Sequence, residues 1–138
     1  MTLPEGYGQG VFFTVPGRAV AHALKKHIGK GGFAGFHLLP ECEAYERVVA
    51  LYARRACRSP LEGPVSLTLR FYVRVRNGKV PDTTGMQKST EDACKRIAFG
   101  DDVWVCEVHS RRKIVKSAAE ERVSVRVRTV DPDEWPDD

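Results

Sequence analysis

Two rhythms of hydrophobic and polar residues run along this chain. Val65, Leu67, Leu69, Phe71, Val73 and Val75 interleave with Ser66, Thr68, Arg70, Tyr72 and Arg74, and this period of two predicts a β-strand with one buried face. Arg122 to Thr129 alternates in the same way, with Val123, Val125 and Val127 on one side and Arg122, Ser124, Arg126 and Arg128 on the other. Gly10 to Val15 predicts a first strand, closed by the turn pair Pro16-Gly17, and Val103 to His109 predicts a third. A helical period appears in Tyr45, Val48, Val49, Tyr52 and Ala56. It predicts a helix from Pro40 to about Arg58, with Glu41, Glu43 and Glu46 near its start and Arg54, Arg55 and Arg58 near its end, as the helix dipole favours. Met86, Ala93, Cys94 and Ile97 mark the apolar face of a second helix, Asp82 to Ile97. Asn77-Gly78 reads as a turn. Residues 18–39 show neither rhythm and read as a long irregular connection, of the kind that is functional or disordered.

The predicted order is β-α-β-α-β-β, with the last two strands closing the set as a hairpin. That order describes an α+β domain built on a mixed β-sheet. The 138 residues are one domain's worth of chain, long enough to bury a core without staples. We read residues 1–130 as that domain and residues 131–138 as a disordered acidic tail.

Charge sharpens this division. The net charge is +4, but the tail holds five acidic residues (Asp131, Asp133, Glu134, Asp137 and Asp138) and no basic ones. Residues 1–130 therefore carry 22 basic against 13 acidic groups, and such a body attracts polyanions. No apolar run is long enough to span a bilayer, and the N-terminus lacks the pattern of a signal peptide. The expected location is the cytoplasm, with no membrane partner. Cys42, Cys57, Cys94 and Cys106 form no CxxC pair and read as free thiols, most of them buried.

Candidate chemistry concentrates in Pro81 to Val105, PDTTGMQKSTEDACKRIAFGDDVWV. Asp82 opens a helix, Lys88 and Asp92 share one helical face, and Asp101-Asp102 precedes a strand. If that strand starts beside the helix start, Asp82 and Asp102 converge. Carboxylates hold hard Mg²⁺ through oxygen, the ion activates water against a phosphodiester, and a lysine offsets charge in the transition state. Each residue also has a plainer role. Asp82 is a favoured N-cap, Lys88 and Asp92 form an ordinary i,i+4 pair, and Asp101-Asp102 suits a turn.

The same stretch resembles the RusA-like Holliday junction resolvases. That family carries a motif close to D-x-D-N-x-x-K at a helix start, and roughly fifteen residues later D-D before a strand. Here the blocks read Asp82-Thr83-Thr84-Gly85-Met86-Gln87-Lys88 and Asp101-Asp102-Val103-Trp104-Val105. The PGR turn (Pro16-Gly17-Arg18), the basic Gly-rich loop, the AYERVVALYARRA helix and the GPVSLTLRFYV strand extend the resemblance over residues 10–130. It implies catalytic roles for Asp82, Lys88, Asp101 and Asp102, with Asp82 and Asp102 as ligands for Mg²⁺, or Mn²⁺ in its place. It also implies a homodimer acting on branched DNA, with Lys25, Lys26 and Lys30 meeting phosphates. Small resolvases of this kind often come from phages. The chain departs from the pattern at Thr84 and Gly85, where the family has Asp and Asn. A hydroxyl is a weaker Mg²⁺ ligand than a carboxylate, so reduced activity, or junction binding without efficient cleavage, is the alternative reading.

Overall fold

The computed structural model describes residues 9–32, 34–131 and 133–134. Its elements are β1 (Gly10–Pro16), β2 (Leu24–Ile28), β3 (Ala34–Leu38), α1 (Pro40–Ala56), β4 (Val65–Arg74), α2 (Thr83–Cys94), β5 (Val105–Val115) and β6 (Arg122–Thr129). Four strands form one mixed sheet in the order β1-β6-β4-β5, and β2 pairs with β3 in a separate two-stranded sheet. The α+β class with a mixed sheet is what the periodicities predict.

The alternating residues build the core. Leu67, Leu69, Phe71 and Val73 of β4 and Val123, Val125 and Val127 of β6 are fully buried, as are Val49 of α1 and Met86 of α2. Both helices join this cluster, Tyr45 and Ala53 from α1 and Ala93 and Cys94 from α2. A buried hydrogen bond ties the helices together. Thr90 Oγ1 donates to the Met86 carbonyl at 2.8 Å, so Tyr45 Oη donates to Thr90 Oγ1 at 2.7 Å. Burial raises the Tyr45 phenol well above its usual range and pushes the Cys94 thiol up to about 12. Cys42, Cys57 and Cys94 are buried free thiols, and Cys106 is exposed.

Three features differ from the sequence expectation. The segment 18–39 contains the β2–β3 hairpin rather than an irregular loop. Its short strands lie outside the main core, so Leu24, Ile28 and Phe36 remain exposed and leave no burial period to read. The last two strands do not form a hairpin: β6 pairs antiparallel with β4 and β1, while β5 pairs parallel with the other side of β4. β6 buries its valines in the middle of the sheet, whereas β5 lies on an edge and carries few buried residues. β5 is also longer than predicted, because Arg111, Arg112 and Lys113 continue the strand. The Asn77-Gly78 turn is present, with φ of 53° and 71°. Both values lie in the left-handed region that Asn and Gly tolerate best.

A buried carboxylate fixes the chain crossing. Glu121, just before β6, accepts from Arg18 Nη1 at 2.6 Å and from the Arg74 backbone N–H at 3.2 Å. Arg74 Nε stands 3.5 Å away as an electrostatic contact, and Arg18 also donates to the Arg74 carbonyl at 2.8 Å. The PGR turn after β1, the end of β4 and the start of β6 thus meet on one charge. Removing one member of a buried ion pair leaves the others uncompensated. Glu121→Ala should therefore lower stability by roughly 3 kcal/mol, read as a shift of the urea unfolding midpoint.

Candidate nuclease site and nucleic-acid interface

α2 and its C-cap carry the candidate chemistry on one stripe that is exposed at its start and half-buried toward its end. Thr84, Lys88, Glu91, Asp92 and Lys95 recur at helical spacing. Asp82 is the N-cap, and its Oδ2 accepts from the Gly85 N–H at 2.7 Å. Lys88 Nζ donates to both carboxylate oxygens of Asp92, at 3.2 and 3.1 Å. Lys95, which caps the other end, stands 3.4 Å from Asp101 Oδ1 and 3.3 Å from Asp102 Oδ1. Asp101 Oδ1 also accepts the Asp102 N–H at 2.6 Å. That backbone donor, followed by Lys95, lowers the Asp101 carboxyl from its ordinary value.

The carboxylates of the two motif blocks do not converge within one chain. β4, α2 and β5 form a βαβ unit with parallel strands, so α2 runs the length of the sheet between them. Asp82 caps one end of the helix while Asp101 and Asp102 lie against Lys95 at the other. At about 1.5 Å per residue the two ends are about 20 Å apart. β5 confirms this direction. Ser110 donates to Gln87 Oε1 at 2.8 Å and Arg112 donates to the Pro81 carbonyl at 2.9 Å, so the strand reaches the start of α2 only at its far end.

Asp102 has Lys95 and Glu91 for electrostatic company instead. Burial raises the Glu91 carboxyl, and the charges of Asp102 and then Asp92 add to the rise. Motif spacing alone gives Glu91 little weight. Its i,i+4 relation to Lys95, and the turn that folds Asp101-Asp102 back onto Lys95, are the signals that point to it.

The two departures from the family pattern have different surroundings. Thr84 is exposed on the first turn of α2. At Gly85 an added Cβ would stand 2.8 Å from Ala21 Cβ and 2.9 Å from Asp82 Oδ1. The His22 N–H also donates to the Gly85 carbonyl at 2.9 Å. The segment between β1 and β2 therefore lies directly on α2, and glycine is what permits that approach.

Basic residues occupy two surfaces. On the β2–β3 hairpin, Lys25 and Lys26 are both exposed, but adjacent strand residues point to opposite faces. Lys26 shares its face with Leu24, Ile28 and Phe36, and Lys25 pairs across from His37. Lys30 opens the turn between the strands, and its side chain lies outside the described residues.

The larger basic surface is the side of the four-stranded sheet turned away from the core. The register sets three rows across this face: Phe12, Arg126, Thr68 and His109; Thr14, Ser124, Arg70 and Arg111; and Pro16, Arg122, Tyr72 and Lys113. The Arg122 guanidinium stacks 3.8 Å over the Tyr72 ring, and Arg126 lies 5.5 Å from the Phe12 centroid. Both helices pack on the other face. His109 is exposed on this face beside Glu107. Phe99 is buried in the core, and Trp104 is 45% exposed. The end of the acidic tail lies outside the described residues.

None of the curated proteins matches the chain. The family model described as Endodeoxyribonuclease RusA matches residues 16–128, a span from the PGR turn through β6 that includes every residue of the candidate site. With that match, an α+β fold around a mixed sheet and the aspartate and lysine positions on α2 and before β5, the chain belongs to the RusA family of Holliday-junction-resolving endodeoxyribonucleases.

Proposed function

We propose that this chain is a divalent-metal-dependent, structure-selective endonuclease that nicks four-way DNA junctions as a homodimer. The observation that carries the reading is the family match across residues 16–128. Mg²⁺ or Mn²⁺ would supply a Lewis acid and an activated water. The exposed carboxylates of Asp82, Asp101 and Asp102 are hard donors suited to such an ion. Two oxygens bound to one Mg²⁺ lie within about 4 Å of each other, and α2 keeps Asp82 far from Asp102 in the same chain. A single ion shared by those two residues therefore requires carboxylates from two copies. The exposed apolar residues Leu24, Ile28 and Phe36 on the hairpin, with Val103 at 79% exposure beside Asp102, support self-association.

Lys88 rests on Asp92 and is 56% exposed, so its ammonium is free to turn toward a phosphate and offset charge there. DNA contacts come from the hairpin lysines and from the arginines of the outward sheet face. These are backbone contacts, which position the duplex without reading its sequence. The domain is residues 1–130, and its place of action is the cytoplasm. The competing reading is a junction-binding protein with weakened cleavage, and the absence of a carboxylate at Thr84 favours it.

A labelled four-way junction, incubated with Mg²⁺, Mn²⁺ or EDTA beside a linear duplex, should give paired metal-dependent nicks in the junction alone. Tight binding without nicking in either metal would select the binding-only reading. Asp82→Asn and Asp102→Asn should each abolish nicking while sparing binding. When the two inactive variants are mixed and allowed to exchange subunits, activity should return to a fraction of the dimers, because one shared site is left intact. No recovery would mean that each site is built within one chain. Thr84→Asp should raise the nicking rate if the missing carboxylate limits it, and a loss would mean a site organised around threonine. Replacing Arg70, Arg111 and Arg126 by serine should weaken junction binding and flatten its salt dependence, by a slope of about 0.9 for each phosphate no longer neutralised. An unchanged slope would remove the sheet face from the interface.

A further inference from the structure

Three segments meet beside the Lys88–Asp92 pair, and two of them bring His22, Cys42 and Glu46, which have no role in the nuclease chemistry. His22 lies between β1 and β2, Cys42 and Glu46 are one turn apart on α1, and Asp92 lies on α2. One donor atom each from His22, Cys42 and Glu46 lie within 4.8 Å of one another. Cys42 is fully buried, and its Sγ stands 3.6 Å from Glu46 Oε2. His22 Nδ1 is buried with no hydrogen-bond partner. It stands 3.9 Å from Asp92 Oδ2, too far for a hydrogen bond, and a buried ring nitrogen left unpaired is costly. The charges of Glu46 and Asp92 face each other across the same space.

We propose that His22, Cys42, Glu46 and Asp92 form a binding site for a transition-metal ion of the Zn²⁺ class. The donor set is one imidazole nitrogen, one sulfur and two carboxylates. Sulfur and imidazole select a borderline ion such as Zn²⁺ over the hard Mg²⁺, which separates this site from the all-oxygen carboxylates of Asp82, Asp101 and Asp102. Tetrahedral zinc holds its donors roughly 3.5 Å apart, so His22, Cys42 and Glu46 need to draw in by about an ångström, and Asp92 joins them from its position beside His22. A cation here supplies the missing partner of His22 Nδ1 and offsets the repulsion between Glu46 and Asp92. As the Sγ–metal bond forms, the Cys42 thiol releases its proton to solvent. His22 and Asp92 keep 23% and 28% of their side-chain surface exposed, which leaves a way in. Asp92 is also the resting partner of Lys88. Metal binding therefore draws Asp92 away and leaves the Lys88 ammonium unpaired on the exposed face of α2. This inference does not depend on nuclease activity.

The test is a titration of the metal-stripped full chain with Co²⁺, reading the thiolate-to-cobalt charge-transfer absorption and then its displacement by Zn²⁺. One equivalent per chain should produce the band. Cys42→Ser should abolish it, and His22→Ala and Asp92→Asn should weaken binding by at least the roughly tenfold that losing even an outer-shell partner costs. Cys106→Ser, at the exposed thiol, should leave the band intact. No thiolate band in the wild type, or a band that survives Cys42→Ser and disappears with Cys106→Ser, would overturn the site. If Cys42→Ser fails to fold, the partly exposed His22 and Asp92 decide the matter, and undiminished affinity in both variants refutes the assignment.

Discussion

One-sided burial of the four-stranded sheet is the constraint on which the rest of the molecule depends. Valines, leucines and phenylalanine on alternate positions of β1, β4 and β6 must leave water, and α1 and α2 are the surfaces they leave it for. The opposite face then stays bare by default, and arginines occupy it because neither helix packs there. The same constraint lays α2 along the sheet between two parallel strands. The helix that bears the candidate chemistry thus has its two ends set apart by the length of the sheet. Burial geometry, rather than any property of the acidic residues, dictates which of them meet.

Much of the architecture was legible because burial writes a period into sequence. β1, β4, β6 and both helices were readable from apolar spacing, and the Asn77-Gly78 turn from its backbone preference. Where burial is weak, the period vanishes. The β2–β3 hairpin exposes its apolar residues, and the edge strand β5 buries no residue fully and runs Arg111, Arg112 and Lys113 together, so neither shows a clean alternation. Strand order was misread for a related reason. Chain proximity suggests a hairpin, but pairing follows which strand buries a full apolar face and has two edges to satisfy, and β6 is that strand.

The candidate site was legible as a list of residues and not as a geometry. Motif spacing brought out Asp82, Lys88, Asp101 and Asp102, yet spacing along a chain says nothing about whether a helix separates its ends. Glu91 and His22 gain meaning only when α2, its following turn and the segment after β1 are seen together. Gly85 shows the reverse relation. In sequence it is a departure from a family pattern; in space it is the point where two backbones touch.

β5 raises a problem of self-recognition. Its outer edge presents an unpaired row of N–H and C=O groups on an eleven-residue strand, the kind of surface that templates aggregation between identical chains. Arg111, Arg112, Lys113 and Lys116 crowd its latter half and the turn beyond it. Two such edges stacked in parallel register would align positive charge against positive charge, so electrostatic repulsion adds to the register irregularity at Cys106 in protecting the strand from its own copies. The cations that suit this protein to a polyanion thereby also act as gatekeepers against amyloid-like stacking.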